Sequence, residues 1–157
     1  MSATDTSFLK QAVQLATRSV AQGGGPFGAL IVKNNNIIGR GNNQVTINND
    51  PTAHAEINAI RDACKNIKSF TLETCTLYTS CEPCPMCMSA IYWARINRVV
   101  FAATEQEAAN AGFDDAIIAR ELCIPYEQRS ILIEHLTCHE HDQCFIEWSN
   151  KPDKTEY

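Results

Sequence analysis

Apolar residues return at helical spacing between residues 7 and 21, at Phe8, Leu9, Ala12, Val13, Leu15, Ala16 and Val20. Thr6 or Ser7 can cap that helix, and Gly23-Gly24-Gly25 stops it. The period then changes. Residues 27–32 form a short apolar run, Asn34-Asn35-Asn36 is turn-prone, and residues 37–42 read as the returning strand of a hairpin. The stretch 44–50 is polar and reads as a loop. Residues 55–66 read as a helix with Ile57, Ile60, Ala63 and Cys64 inward. A buried strand over 75–79, a helix over 83–94 and a buried strand over 98–103 follow. Strand, helix and strand in succession call for parallel pairing with a right-handed crossover. The hairpin adds an antiparallel pair, so the expected sheet is mixed. Beyond it the pattern predicts a helix over 114–122, a strand over 131–136 and a last helix over 142–149.

No Pro/Gly/Ser linker divides the 157 residues, and 45% are hydrophobic, so residues 1–157 are expected to form one domain. The formal net charge is −5 and no cluster of Lys and Arg appears, which argues against a nucleic-acid partner. Eight cysteines could mean disulfides in a secreted chain. The opening Met1-Ser2-Ala3-Thr4-Asp5 has no basic-then-apolar signal, and no apolar run is long enough to span a membrane. The expectation is a reduced, cytoplasmic protein without a membrane partner, with Cys64 and Cys75 as core residues.

Two stretches carry chemistry. His54-Ala55-Glu56 supplies an imidazole and a carboxylate, and Cys81-Glu82-Pro83-Cys84-Pro85-Met86-Cys87 supplies thiols. His54, Cys84 and Cys87 make three ligands for one tetrahedral Zn²⁺ per subunit, leaving a position open to water as catalytic sites do. Pro83 suits the first turn of a helix on which Cys84 and Cys87 share a face. Residues two apart on a helix point to different sides, so His54 and Glu56 are expected where the chain enters one, with Glu56 moving protons. H-x-E followed by P-C-x-x-C is the signature of nucleobase zinc deaminases. Cys81-x-x-Cys84 is also a ligand spacing. Cys123, Cys138, His139, His141 and Cys144 match no common one and read as a solvated loop with scattered core thiols.

On the metal motifs, with Gly24-Gly25-Pro26-Phe27-Gly28-Ala29, Ala90-Ile91-Tyr92-Trp93-Ala94-Arg95, Ala111-Gly112-Phe113-Asp114-Asp115 and the terminal Tyr157, the chain resembles the cytidine deaminase-like superfamily. Within it the resemblance is to the small bacterial guanine deaminases. It implies an α/β fold, a three-layer α/β/α sandwich around a mixed five-stranded sheet. It implies zinc-dependent conversion of guanine to xanthine and ammonia, a small nucleobase as partner, and a homodimer whose C-terminal segments are exchanged. It places the metal ligands after Pro83, with Cys81 a non-ligand, and gives Glu56 and Asp115 catalytic roles. It places Asn43 and Tyr157 against the substrate; an aromatic face for a planar base adds Phe27 and Trp93, a carboxylate acceptor for the N–H groups of guanine adds Asp115, and Ala55 between His54 and Glu56 is expected there too. Four of these have ordinary alternatives: an Asx-turn for Asn43, core packing for Phe27 and Trp93, and a frayed end for Tyr157. One of Asp114 and Asp115 is expected to cap the helix that follows. A tRNA adenosine deaminase, a deaminase of cytosine or another aminated ring, and a non-catalytic zinc module are the other readings.

Overall fold

Two asparagines turn the first hairpin. In the computed structural model, which describes residues 2–157, Asn34 and Asn35 both adopt positive φ (49° and 61°). Such a pair matches the twist of flanking strands, and asparagine tolerates it better than most residues. The strands it joins are β1 (Gly28–Lys33) and β2 (Asn36–Asn42). β3 (Thr76–Cys81) pairs antiparallel with the other edge of β1, and β4 (Arg98–Ala103) pairs parallel with β3. The sheet is mixed, as expected, and its order is β2-β1-β3-β4. It has four strands, not five.

The two faces of the sheet are sorted by alternation along β1 and β3. Leu30, Val32, Tyr78 and Val100 meet Phe8 and Ala12 of α1 (Ala3–Ala21). Ala29, Ile31 and Leu77 meet Ala55, Ala59 and Ala63 of α3 (Ala55–Ile67) and Ile91 of α4 (Pro85–Trp93). With both faces covered, β1 reads as a continuous apolar run rather than an alternating one. The result is helix, sheet and helix in three layers. α1 begins earlier than its apolar period predicts. Ser2, not Thr6 or Ser7, is the N-cap, and Asp5 completes a capping box. Asp5 is also buried against β3 and β4: Arg98 grips its carboxylate through both oxygens (2.7 and 3.0 Å) and the Tyr78 hydroxyl donates to it at 2.7 Å.

A short helix, α2 (Val45–Asn48), interrupts the stretch read as loop. Past β4 come α5 (Glu105–Asn110), capped reciprocally by Thr104 and Glu107, and α6 (Ala116–Leu122). The chain divides into two compact units, Met1–Ala119 and Arg120–Tyr157. The second holds a 3₁₀ turn (Tyr126–Gln128) and α7 (Gln143–Asn150), which agrees with the predicted last helix. The strand predicted over 131–136 does not form. Its apolar residues resemble a strand's, but the second unit has no sheet to satisfy its backbone, and none of its residues is buried.

Candidate active site

Both metal-motif segments place a ligand at the residue that caps a helix. His54, with extended backbone (φ −69°, ψ 158°), is the N-cap of α3, and Cys84 (φ −63°, ψ 166°) is the N-cap of α4. Pro85 rather than Pro83 fills the first turn of α4, so Cys84 stands just outside the helix and Cys87 inside its first turn. His54 and Glu56 sit at a helix entrance, as expected, and Asn58 donates its amide to the Asn42 and Ala53 carbonyls that lead into it.

His54, Cys84 and Cys87 offer ligand atoms that all lie within 4.8 Å of one another, and Cys87 is buried. Zn–S bonds near 2.3 Å and Zn–N bonds near 2.05 Å at a tetrahedral angle would put sulfur and nitrogen about 3.6 Å apart. His54 Nδ1 is 3.6 Å from Cys84 Sγ and 3.6 Å from Cys87 Sγ. The donor set therefore fits zinc. Cys84 is drawn down to about 4 by hydrogen bonds from Cys87 and His54, against its burial. Cys87 is pushed up by its bond to Cys84 and by burial. The hydrogen bond to Cys84 raises His54. Cys81 stands outside this group: its buried thiol faces the Thr104 carbonyl at 3.7 Å and is pushed up to about 11 by burial. Among the described residues no second group of three such ligands occurs. Cys123, Cys138 and Cys144 are exposed rather than core thiols, and His141 turns to the Cys138 carbonyl.

Glu56 lies beside the three without joining them. It is 4% exposed, and burial raises its carboxyl above the ordinary range. Its Oε1 accepts a hydrogen bond from Thr79 at 2.9 Å, and its Oε2 is 3.5 Å from Cys87 Sγ. His54, Cys84 and Glu56 open into a cavity of about 510 Å³, within the size range of small-molecule sites. Phe27 lines it and meets Phe113 edge-on with ring centroids 5.0 Å apart. Asn43 lines it with a fixed amide orientation. Its Oδ1 accepts from the backbone N–H groups of Val45 (3.2 Å) and Gly25 (3.4 Å), which leaves the NH₂ as the group to offer. Asp114 takes the local turn, accepting from Ala116 N at 3.1 Å. Asp115 also lines the cavity, and burial followed by the charge of Cys84 raises its carboxyl. Glu82 and Glu105 complete five carboxylates on the wall, and no Lys or Arg lines it among the described residues.

Two residues expected against the substrate do not line this cavity, and a third belongs to the second unit. Ala55 is fully buried and its side chain is not on the cavity wall. Trp93 ends α4, 66% exposed, and is not on that wall either. Tyr157 belongs to the second unit, where it meets Trp148 edge-on at 6.3 Å. Phe113 and Thr79 were not singled out from the sequence. Phe113 stood in the sequence only as part of the Gly112-Phe113-Asp114-Asp115 stretch, its ring partner being 86 positions away, and Thr79 gains its role only from its hydrogen bond to Glu56.

A His and two Cys gathered at two helix starts, with a buried carboxyl beside them on a three-layer α/β/α sheet, define a zinc-dependent hydrolase of amino groups on heterocycles. Residues 2–103 match the family model described as "Cytidine and deoxycytidylate deaminase zinc-binding region". The chain is 54% identical to the guanine deaminase of Bacillus subtilis (strain 168) over 152 residues, 96% of this chain and 97% of that protein. It is similar to the X-ray structure of guanine deaminase from Bacillus subtilis, with a TM-score of 0.95 and 52% identity over 100% of this chain and 99% of that one. A tRNA-specific adenosine deaminase of Buchnera aphidicola subsp. Baizongia pistaciae (strain Bp) is 49% identical over 64% of this chain and 62% of that protein. The chain belongs to the cytidine and deoxycytidylate deaminase family, and the likeness to guanine deaminase, unlike that to the tRNA enzyme, runs from end to end.

Proposed function

We infer that this chain hydrolyses guanine to xanthine and ammonia. The observation that carries the reading is the buried Glu56 carboxyl beside His54, Cys84 and Cys87 at the head of a cavity, in a chain 54% identical to a guanine deaminase over 96% of its length. His54, Cys84 and Cys87 would hold zinc, which when bound supplies the positive charge that brings the pKa of water toward neutrality.

The chain's own residues do the rest. Glu56 takes a proton from the attacking water on Oε2, the oxygen not engaged by Thr79, and passes protons to the ring nitrogen and the departing amine. The C2–O bond forms first, as the ring C2=N π pair takes a proton at nitrogen, and the C2–N bond to the exocyclic amine then breaks, releasing ammonia as the ring C2=N bond is restored to the xanthine level. The Asn43 NH₂ donates to an acceptor on the base, and Asp115 accepts from the N–H groups on the edge around the 2-amino group. Phe27 and Phe113 flank the ring. Ala55, the first residue of α3, contributes an N–H that has no partner within the helix.

The two units act as one deaminase domain in a cytoplasmic homodimer, the second unit of each subunit closing the partner's cavity with Tyr157. The support is that the second unit buries none of its residues and leaves Leu132 and Leu136 82% and 87% exposed, a face that needs covering. Five carboxylates and, among the described residues, no Lys or Arg on the wall disfavour a polyanionic anticodon loop. The test offers purified protein guanine, adenine, cytosine and tRNA, and measures ammonia and inosine. Guanine should turn over fastest; inosine in tRNA without guanine turnover would overturn the reading. Glu56→Gln should keep zinc and lose about 10²–10⁴-fold in kcat. Parent-rate turnover by that variant would remove Glu56 from the mechanism.

A further inference from the structure

Thr79 lies on the central strand β3, in register with Ala29 of β1 and Phe101 of β4, and is 0% exposed. Position 79 shares the sheet face of Leu77, the face that α3 covers. A valine would fill that place on the strand as well, so the atom that needs explaining is the hydroxyl. It donates to Glu56 Oε1 at 2.9 Å. A carboxylate otherwise swings about its side-chain torsions and offers two equivalent oxygens. Here one oxygen is pinned from the sheet side, and the other is left beside Cys87 Sγ at 3.5 Å and the cavity.

We propose that Thr79 is a positioning residue: its hydroxyl holds Glu56 Oε1 so that Oε2 alone carries protons. The proposal rests on the proton-carrying role given to Glu56 above. Val matches Thr in shape and lacks the donor. Thr79→Val should lower kcat for guanine by about 10- to 100-fold, the worth of a hydrogen bond to a charged group. KM should stay within about two-fold and zinc at the parent content, because neither the cavity wall nor the ligands change. Thr79→Ser should recover most of the rate. In a Glu56→Gln background Thr79→Val should cost nothing further, whereas a purely structural role would cost again.

Parent kcat in Thr79→Val, a loss of zinc alongside rate, a raised KM at unchanged kcat, or an additive double variant would each overturn the proposal. If Thr79→Val does not fold, the Ser and Ala variants read the same point: Ser keeps the rate and Ala loses it, and equal rates overturn it. Parent activity in Glu56→Gln would instead overturn the role of Glu56 itself, so the two failures are distinguishable.

Discussion

The close packing of β2 under α3 sets up the sharpest expectation, because α3 carries His54 and Glu56 at its start. A Cβ added at Gly41 would lie 2.1 Å from the Ala55 carbonyl oxygen, 2.4 Å from Ala59 N and 3.0 Å from Asn58 C. All three are backbone atoms, so no side chain can swing aside. With ordinary van der Waals contact starting near 3.4 Å, the helix would have to withdraw about 1.3 Å at its first turn. Overpacking of this kind costs about 1–3 kcal/mol. For a chain of this size that is a fall in Tm of roughly 2–12 °C. The withdrawal also exceeds the roughly 0.2 Å that zinc–ligand distances tolerate, and a misplacement of about 1 Å can cost 10²-fold in rate. Gly41→Ala should therefore melt early, release zinc to a chelator at lower concentration than the parent, and turn over guanine roughly 100-fold more slowly. Melting with and without added zinc, zinc per chain after dialysis, and kcat measure the three effects. A Gly41→Ala protein with parent Tm and full zinc would refute the idea that β2 sets the height of α3 and hence of the metal ligands.

Three other expectations follow from the same geometry. Asn43→Asp keeps the oxygen that the Val45 and Gly25 amides need but removes the donor and adds a charge to an acidic wall, so KM for guanine should rise about ten-fold or more while zinc content holds; unchanged KM would mean the NH₂ does not meet substrate. Cys87→Ala should lower zinc content in elemental analysis, and full zinc occupancy in that variant would remove Cys87 from the ligand set. The hydrogen bonds from Arg98 hold Asp5 well below its ordinary value of 3.8. A carboxyl depressed in the folded state lends stability above 3.8 that drains away as pH falls below it; denaturation midpoints at pH 7 and in the acid range should show parent and Asp5→Asn differing more at pH 7, and a constant difference would refute the linkage.

The metal ligands were legible because each rests on its neighbours in sequence: His54 and Cys84 stand just ahead of a helix and Cys87 follows in the first turn, although Pro85, not the Pro83 read from the sequence, fills that turn. The hairpin was legible for the same reason, since Asn34 and Asn35 announce a turn that needs positive φ. Sheet count was not. An apolar run such as residues 131–136 says that a segment wants partners, and not whether an open strand edge stands ready to pair with it. The start of α1 could have been read from Ser2-x-x-Asp5, a capping box, but the apolar period begins only at Phe8 and masked it. Trp93 was read from its aromatic face, and the sequence does not say that the end of α4 leaves it 66% exposed.

Why both helices begin at a ligand has a physical answer. An N-cap residue has extended backbone, so its side chain leaves the helix axis instead of lying along it, and the free N–H groups behind it favour negative charge. α3 lies on the sheet face opposite α1, and α4 packs on that same face, so both starts converge over the end of β3. Two short motifs about thirty residues apart can then meet at 3.6 Å without any long side chain reaching across. The carboxyl two residues past His54 falls between helix and sheet, where a strand residue with a donor meets its inner oxygen. Thr79 is that residue, and its contribution depends on β3 lying one register step from where a slipped strand would turn the hydroxyl to the α1 side.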